Sequence, residues 1–477
     1  MSWLFIYNIA EWITRLVMIA VILRRRFTPA TSLAWLTLIF FLPIAGLVIY
    51  LLIGGHGLGR RRVRLHRKVI TAIRAGRRTD EPQPHVTRPQ LDPALEPVIR
   101  QAERIGGMPI LGGNHVELLA KTAATIDRLV ADIDAAEHHV HMVFYIFADD
   151  DAGRRVAAAL VRAARRGVTC RLLADAAGSR ALFGRNGLAR NLREHGVETH
   201  PTLPVKPLRR RFARIDLRNH RKLAVIDGRI AYAGSQNIVN PDYGHRRAGV
   251  WHDMTGRFTG PVVAQLQIVF LEDWLYETDQ NLDRPDILPP LEPVGQMPAQ
   301  AVATGPSHES ETLLRVILAA INAAQRKVII TSPYLIPDEP TMLVLSMAAD
   351  RGVQVQIVVP RRSDHPLVSA AGRAYYAQLL DAGVSLYLHQ KGLLHAKTIT
   401  VDDAFALLGS SNMDIRSFYL NFELNVLMYG PQITQELRFA QTRYISEADE
   451  LTADQWNRRP AAVRYLNSAA ALLSPLL

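Results

Sequence analysis

One cysteine, Cys170, stands in a chain of 477 residues. That excludes an intramolecular disulfide and any zinc site built from clustered cysteines, and it suits catalytic domains facing a reducing compartment. Charge is absent from Leu33 to Ile53, and Trp3 to Leu23 is interrupted only by Asn8, Glu11, Thr14 and Arg15. Each run, at roughly 20 residues, is long enough to cross a hydrocarbon core of about 30 Å. No basic residue precedes the first run and no small-x-small cleavage signal follows it, so neither reads as a cleaved signal peptide. Glu11 and Arg15, four apart, share a helix face and are expected to pair, which lowers their cost in lipid. Acids are absent from His56 to Thr79, which holds nine Arg or Lys, including Arg60, Lys68 and Arg78. The net charge is +12, and a second basic cluster runs from Lys206 to Lys222. Cations just behind an apolar segment attract anionic lipid headgroups at about 1 kcal/mol each, so lipid is the expected partner and nucleic acid is not.

The loop "RRRFTPAT" and the exit from the second apolar run are both basic, and the positive-inside rule wants both on the cytoplasmic face. Pro43 and Gly46 allow a kink, and a segment that dips in and returns would reconcile the two. Past the basic cluster, "RRTDEPQPHVTRPQLDP" reads as a linker. The spacing of Leu119, Ala123, Ile126, Val130 and Ile133 predicts a helix over 114–136, "VHMVFYIF" a strand, "DAGRRVAAALVRAARRG" a helix and "VTCRLLAD" a buried strand. Strand and helix in alternation define an α/β layer with a mixed or mostly parallel sheet.

That order then recurs. "ETLLRVILAAINAAQRKVIITSPYLIPDEP" aligns with "TAATIDRLVADIDAAEHHVHMVFYIFADDD", and "RGVQVQIVVP" with "RGVTCRLLAD". The offset, about 175 to 190 residues, is too long for a solenoid unit and reads as two copies of one domain. The expected organisation is a membrane anchor over 1–55, a basic juxtamembrane segment and linker over 56–110, a first domain over 111–284, a Pro-rich linker over 285–303 and a second domain over 304–477.

Each copy carries one motif: "NHRKLAVIDG" with His220, Lys222 and Asp227, and "LHAKTITVDD" with His395, Lys397 and Asp402. Residues two apart on a strand share a face, so each histidine projects beside its lysine. Asp227 lies an odd number of residues from His220, in a turn-like "IDG". It and Asp402 read as structural members of the motif. "GSQN" (Gly234, Ser235, Asn237) and "GSSN" (Gly409, Ser410, Asn412) follow, and then an acid, Asp253 in "WHDM" and Glu423 in "NFEL". The glycine would let backbone approach a ligand, and the Ser and Asn side chains could donate to anionic oxygens. An acid bonded to one imidazole nitrogen fixes the tautomer and frees the other nitrogen. Brought together, the copies suit a phosphodiester. One histidine would attack phosphorus and the other would manage the proton, while the lysines hold the non-bridging oxygens. No acidic cluster for a divalent cation stands beside either motif, so neither a metal nor a cofactor is expected.

The paired HxKxxxxD motifs with GSxN extensions resemble the phospholipase D superfamily. "LRNHRKLAVIDGRIAYAGSQNI", "VVAQLQIVFLEDWLYET" and "LLHAKTITVDDAFALLGSSNMDIRSFYLNFELNV", behind two apolar segments, resemble bacterial cardiolipin synthases of that type over nearly the whole chain. Ser235 stands where the family often has glycine and Ser410 where threonine is common; both stay small. The resemblance implies two phospholipase D-like α/β domains packed face to face behind a helical membrane anchor. It also implies transfer of a phosphatidyl group between two phosphatidylglycerol molecules through a phosphohistidine, with release of glycerol and His220 as the nucleophile. The expected setting is the bacterial inner membrane with cytoplasmic catalytic domains; no oligomeric state is signalled. The rival readings are a hydrolytic phospholipase D, a transfer using phosphatidylethanolamine, a nuclease on the same fold and a catalytically dead lipid-binding module. His115, His138, His139, His141 and His308 have no partner pattern and read as ordinary core or surface residues.

Overall fold

The computed structural model describes residues 3–25, 27, 29–54, 84–204, 216–244, 249–282, 286–306 and 311–474. The first basic cluster, most of the second (206–215) and His308 lie outside the described residues.

Two units are resolved by their internal contacts, the smaller comprising the N-terminal apolar region. Its helix Trp3–Leu23 contains the one segment, Phe5–Leu23, that is long and apolar enough to cross a membrane among the described residues. The second apolar run is broken. Helix Pro29–Phe41 stops where Pro43 begins the next helix, Pro43–Ile49, and a widened turn, Tyr50–Gly54, follows. The expected kink therefore falls at Leu42–Pro43, where the proline ring cannot continue the preceding hydrogen-bond ladder. Arg15 pairs with Glu11 at 3.2 Å and its Nε donates to the Phe40 carbonyl, so the two arms of the hairpin are tied by a charge satisfied internally. Met18, Ile22, Ile39 and Tyr50 form the small core between them.

The larger unit is built on one fifteen-stranded sheet. From the middle outward, the first half runs Leu111–Leu119, Thr255–Thr259, Ile230–Gly234, Lys222–Ile226, His139–Phe144, Thr169–Asp175 and Glu198–Thr202. The second half runs Met297–Thr304, Glu423–Tyr429, Phe405–Gly409, Thr398–Val401, Lys327–Thr331, Gln354–Pro360, Ser385–His389 and Ala448–Leu451. In each half three successive strands are parallel, joined by helices, and the motif strand lies antiparallel beside the first of them. The motif strands Lys222–Ile226 and Thr398–Val401 are buried along their whole length because both faces of the sheet are packed. The repeat inferred from sequence is thus a repeat of topology.

The halves join at a seam where Leu111–Leu119 pairs antiparallel with Met297–Thr304. On one face of the sheet a single core runs across the seam, with Val143, Leu223 and Phe258 from the first half and Leu408, Val426 and Leu437 from the second. The opposite face is packed separately in each half, around Ile126, Val156 and Leu160 in the first and Ile317, Leu345 and Leu427 in the second.

Three sequence expectations shift. The helix expected over 114–136 is a strand to Leu119 followed by helix Thr122–Asp134, because Asn114, Val116 and Leu119 point into packed sheet. The stretch expected as linker contains helix Glu96–Gly106, whose Val98, Ile99 and Ala102 pack into the second half's core. The Pro-rich linker ends in the seam strand Met297–Thr304, with Ala299, Ala301 and Ala303 buried.

Candidate active site

Each motif histidine stands just ahead of its strand, and the backbone there pairs with the opposite half. Asn219 bridges Phe422, and the His220 N–H donates to the Phe422 carbonyl at 2.8 Å. In the mirror arrangement Leu393–Leu394 pairs parallel with Trp251–His252, and the His395 N–H donates to the His252 carbonyl at 2.9 Å. In both cases the residue before an acid is held against the residue before, or at, the histidine of the other copy.

The acids are therefore exchanged. His220 Nδ1 lies 3.0 Å from both carboxylate oxygens of Glu423, and His395 Nδ1 lies 2.6 Å from Asp253 Oδ1. Each carboxylate is fully committed to this work. Asp253 also accepts from Ser235 Oγ at 2.6 Å, and Glu423 from Ser410 Oγ, both within the acid's own half. With Nδ1–H given to the carboxylate, Nε2 is left as the reactive nitrogen. Burial lowers the pKa of both imidazoles. For His220 burial outweighs the attraction of Glu423, and the value falls to about 4. His395 moves in the same direction from burial and then the Lys397 charge. Asp253 is pushed up by burial and pulled down more strongly by His395 and Lys397, ending at about 2. Both imidazoles are thus biased toward the neutral form, each beside a carboxylate whose own pKa is lowered.

The lysines are buried on the same side. Lys222 Nζ donates to the His220 carbonyl and Lys397 Nζ to the His395 carbonyl, both at 2.6 Å. Burial depresses both, Lys397 to about 8, against the pull of Asp253 and Glu423, and the Lys397 charge lowers Lys222 further. An anionic oxygen placed beside them would favour the ammonium form of both and be held by it. Aromatic rings flank the histidines: Tyr145 lies 4.9 Å from His220 and Trp251 lies 4.6 Å from His395, centroid to centroid.

The structure brings His220, Lys222, Ser235, Asp253, His395, Lys397, Ser410 and Glu423 into one cluster. Asp227 and Asp402 are not part of it. They sit at the far end of their strands, five residues and so roughly 16 Å from the lysines at about 3.3 Å per residue. Each carboxylate there accepts three backbone N–H groups, of Glu137, His138 and His139, or of Gln325, Arg326 and Lys327. Ser235 and Ser410, expected to donate to a ligand, spend their hydroxyl hydrogens on the acids. Gly234 and Gly409 serve strand packing: a Cβ on the first would lie 2.4 Å from the Met254 carbonyl oxygen, and on the second 2.0 Å from Asn425 Oδ1. Asn237 Oδ1 accepts the Ile146 N–H, while Asn412 donates to Asp414 and leaves a buried Oδ1 without a partner among the described residues.

Arg221, between the first histidine and lysine, carries no sequence signal of a site residue. It is fully buried, pairs with Asp273 at 2.7 Å, and donates to the carbonyls of Thr304 and Glu423. Asp273 also takes the Asn219 side-chain N–H. The second copy has Ala396 in that place, so no repeat pattern flagged it.

This fold and site define a phospholipase D-like protein carrying two copies of its domain. Sequence comparison agrees: residues 129–255 and 317–441 each match the family described as cardiolipin synthase, PLD-like domain, and residues 15–55 match the phospholipase D-nuclease N-terminal family. The chain is 35% identical to cardiolipin synthase A of Proteus mirabilis over 99% of both chains. It is 36% identical to that of Yersinia pseudotuberculosis over all of this chain and 98% of the relative. It belongs to the cardiolipin synthase family. Among solved structures, phosphatidylserine synthase of Haemophilus influenzae shares the fold, at a TM-score of 0.62 and 17% identity over 80% of this chain and all of that one.

Proposed function

We propose that this protein is a phosphatidyltransferase that joins two phosphatidylglycerol molecules into cardiolipin and glycerol. The observation that carries the reading is the crosswise pairing of each imidazole with a carboxylate of the other half, beside two buried lysines. In the first step Nε2 of His220 attacks phosphorus, the phosphorus–oxygen bond to the glycerol headgroup breaks, and His395, protonated when the anionic substrate is in place, gives its proton to the departing alkoxide. In the second step neutral His395 takes the proton of a hydroxyl on the second lipid, whose oxygen displaces the histidine from phosphorus. One phosphodiester is exchanged for another, so no nucleotide is consumed. Lys222, Lys397 and the amide of Asn237 hold the non-bridging oxygens; Ser235 and Ser410 keep the acids aligned. His220 is given the nucleophile's part because its side chain is the more accessible, 12% exposed against 5% for His395.

Helix Phe5–Leu23 serves as a membrane anchor and the broken second segment returns to the same face, which leaves the catalytic domains on the cytoplasmic side of the inner membrane. Purified full-length protein given phosphatidylglycerol as sole lipid should yield cardiolipin and glycerol in equal amounts. Phosphatidic acid in place of cardiolipin would make it a hydrolase and overturn the proposal. His220→Ala and His395→Ala should each lower turnover at least about 10³-fold, the range expected when a nucleophile or its proton partner is lost.

A further inference from the structure

The helix Ala461–Ala471 has two apolar faces and buries only one. Asn467 and Ala470 turn inward, and Ala470 packs against Ala371 of helix Pro366–Arg373 and against Ile336. At helical spacing Ala462, Tyr465, Leu466, Ala469, Leu472 and Leu473 share the neighbouring face. That face is bare: Tyr465 is 77% exposed, Leu466 68% and Leu472 82%, with Leu367 of the supporting helix at 47%. Such a stripe, if water were its normal surrounding, would be an association hazard.

Charge says what covers it. From Trp456 to Leu477 there are three arginines, Arg458, Arg459 and Arg464, and no acid. Arg458 is paired with Asp454. Arg373 and Arg464 both stand close enough to Arg459 to add their repulsion to its burial. An apolar stripe flanked by cations is repelled by its own copy and complements an anionic interface. Location agrees. Ile336 lies in the short strand Leu335–Ile336, paired with Met413–Asp414, which follows Asn412 of the second "GSSN" directly. The helix thus packs on the strand pair that continues from the second "GSSN", in an enzyme whose lipid must present its headgroup to the histidines while its acyl chains stay in the bilayer.

We propose that Tyr465, Leu466 and Leu472, flanked by Arg459 and Arg464, form a docking face that seats in the interface of an anionic bilayer beside the site. This rests on the reading of the site as one that handles membrane lipid, and goes beyond its transfer chemistry.

The test uses full-length protein in vesicles. Cys170 is 1% exposed, so a cysteine introduced by Leu472→Cys takes an environment-sensitive fluorophore selectively. In vesicles of phosphatidylglycerol and phosphatidylcholine the probe should shift to the blue and be quenched by nitroxide lipids. Both effects should weaken in phosphatidylcholine alone or in high salt. A probe at Glu194→Cys, on an exposed helix of the first half, should show neither. The same shift should persist in a His220→Ala background, which separates failure of docking from failure of the catalytic reading. The triple variant Tyr465→Ser, Leu466→Ser, Leu472→Ser should lower turnover of vesicle lipid on the order of tenfold while sparing a dispersed short-chain substrate. A water-exposed probe overturns the proposal. So does quenching that tracks protein cross-linking through Leu466→Cys instead of lipid, which would make the face a contact between copies. Equal loss on both substrates would make the helix structural only, with the same effect.

Discussion

His220 is bonded to an acid 203 residues away, and His395 to one 142 residues away. The two imidazoles, the lysines and the acids could all be picked out of the sequence, because the motif occurs twice and chance rarely repeats itself with the same sequel. Which acid serves which histidine could not be read, since the partner within the same copy is nearer in sequence and the exchange is made only by tertiary packing. The exchange has a consequence for variants. Glu423→Gln should disable the histidine of the first half and Asp253→Asn that of the second, each lowering kcat about 10²- to 10⁴-fold, as when an acid that orients a catalytic histidine is neutralised. If His220 is the nucleophile, Asp253→Asn should still accumulate phosphoenzyme from phosphorus-labelled lipid, and Glu423→Gln should not. The reverse pattern would assign attack to His395. The lysines give a second signature. Lys397 is held by burial at about 8, protonated below that value and neutral above it. Since kcat/KM reports the free enzyme, it should fall on the alkaline side from about pH 8. A plateau that continues well beyond pH 9 would remove Lys397 from phosphate binding.

Asp227 and Asp402 complete the motif in sequence, yet their bonds are made within the sheet and away from the cluster. Both adopt the left-handed conformation, with φ of 51° and 47°, and each carboxylate collects three backbone N–H groups at the start of a neighbouring strand. They staple the turn after one strand to the entry of the next, and so fix the register that sets the lysines. Asp227→Ala should cost about 1–3 kcal/mol of stability, as three N–H groups, that of His139 part-buried and those of Glu137 and His138 exposed, lose a charged acceptor. The denaturation midpoint should drop while the folded fraction keeps its turnover within about twofold. A collapse of kcat at unchanged stability would return Asp227 to the chemistry. Strand parity hinted at this role, because an odd separation turns the side chain away from its histidine. Helix Glu96–Gly106 was hidden for a different reason. It follows a Pro-rich stretch and its inward face is only Val98, Ile99 and Ala102, a pattern too short to separate from a linker until the second half's core is there to receive it.

At the scale of the molecule, composition and repeat established two α/β copies behind an apolar N-terminal segment, but not that they share one sheet. The seam is made by Met297–Thr304, whose Pro-rich approach resembles a spacer, and its small buried alanines carry little hydrophobic signal of their own. Arg221 adds a tie, running from the first motif to Asp273, to Thr304 of the seam and to the backbone of Glu423. Removing either end of that ion pair would strand a buried charge, at several kcal/mol. With strand seam, continuous core and crossed acids all satisfied inside one chain, a complete site belongs to each chain. Mixing His220→Ala protein with His395→Ala protein should therefore restore no activity, even after the pair is co-refolded. If instead the halves were traded between chains, co-refolding would rebuild wild-type sites, with recovery approaching about a quarter of normal turnover for random exchange of halves. Recovery of that size would overturn the one-chain site, because the seam and the Arg221 tie would then have to form between molecules as readily as within one.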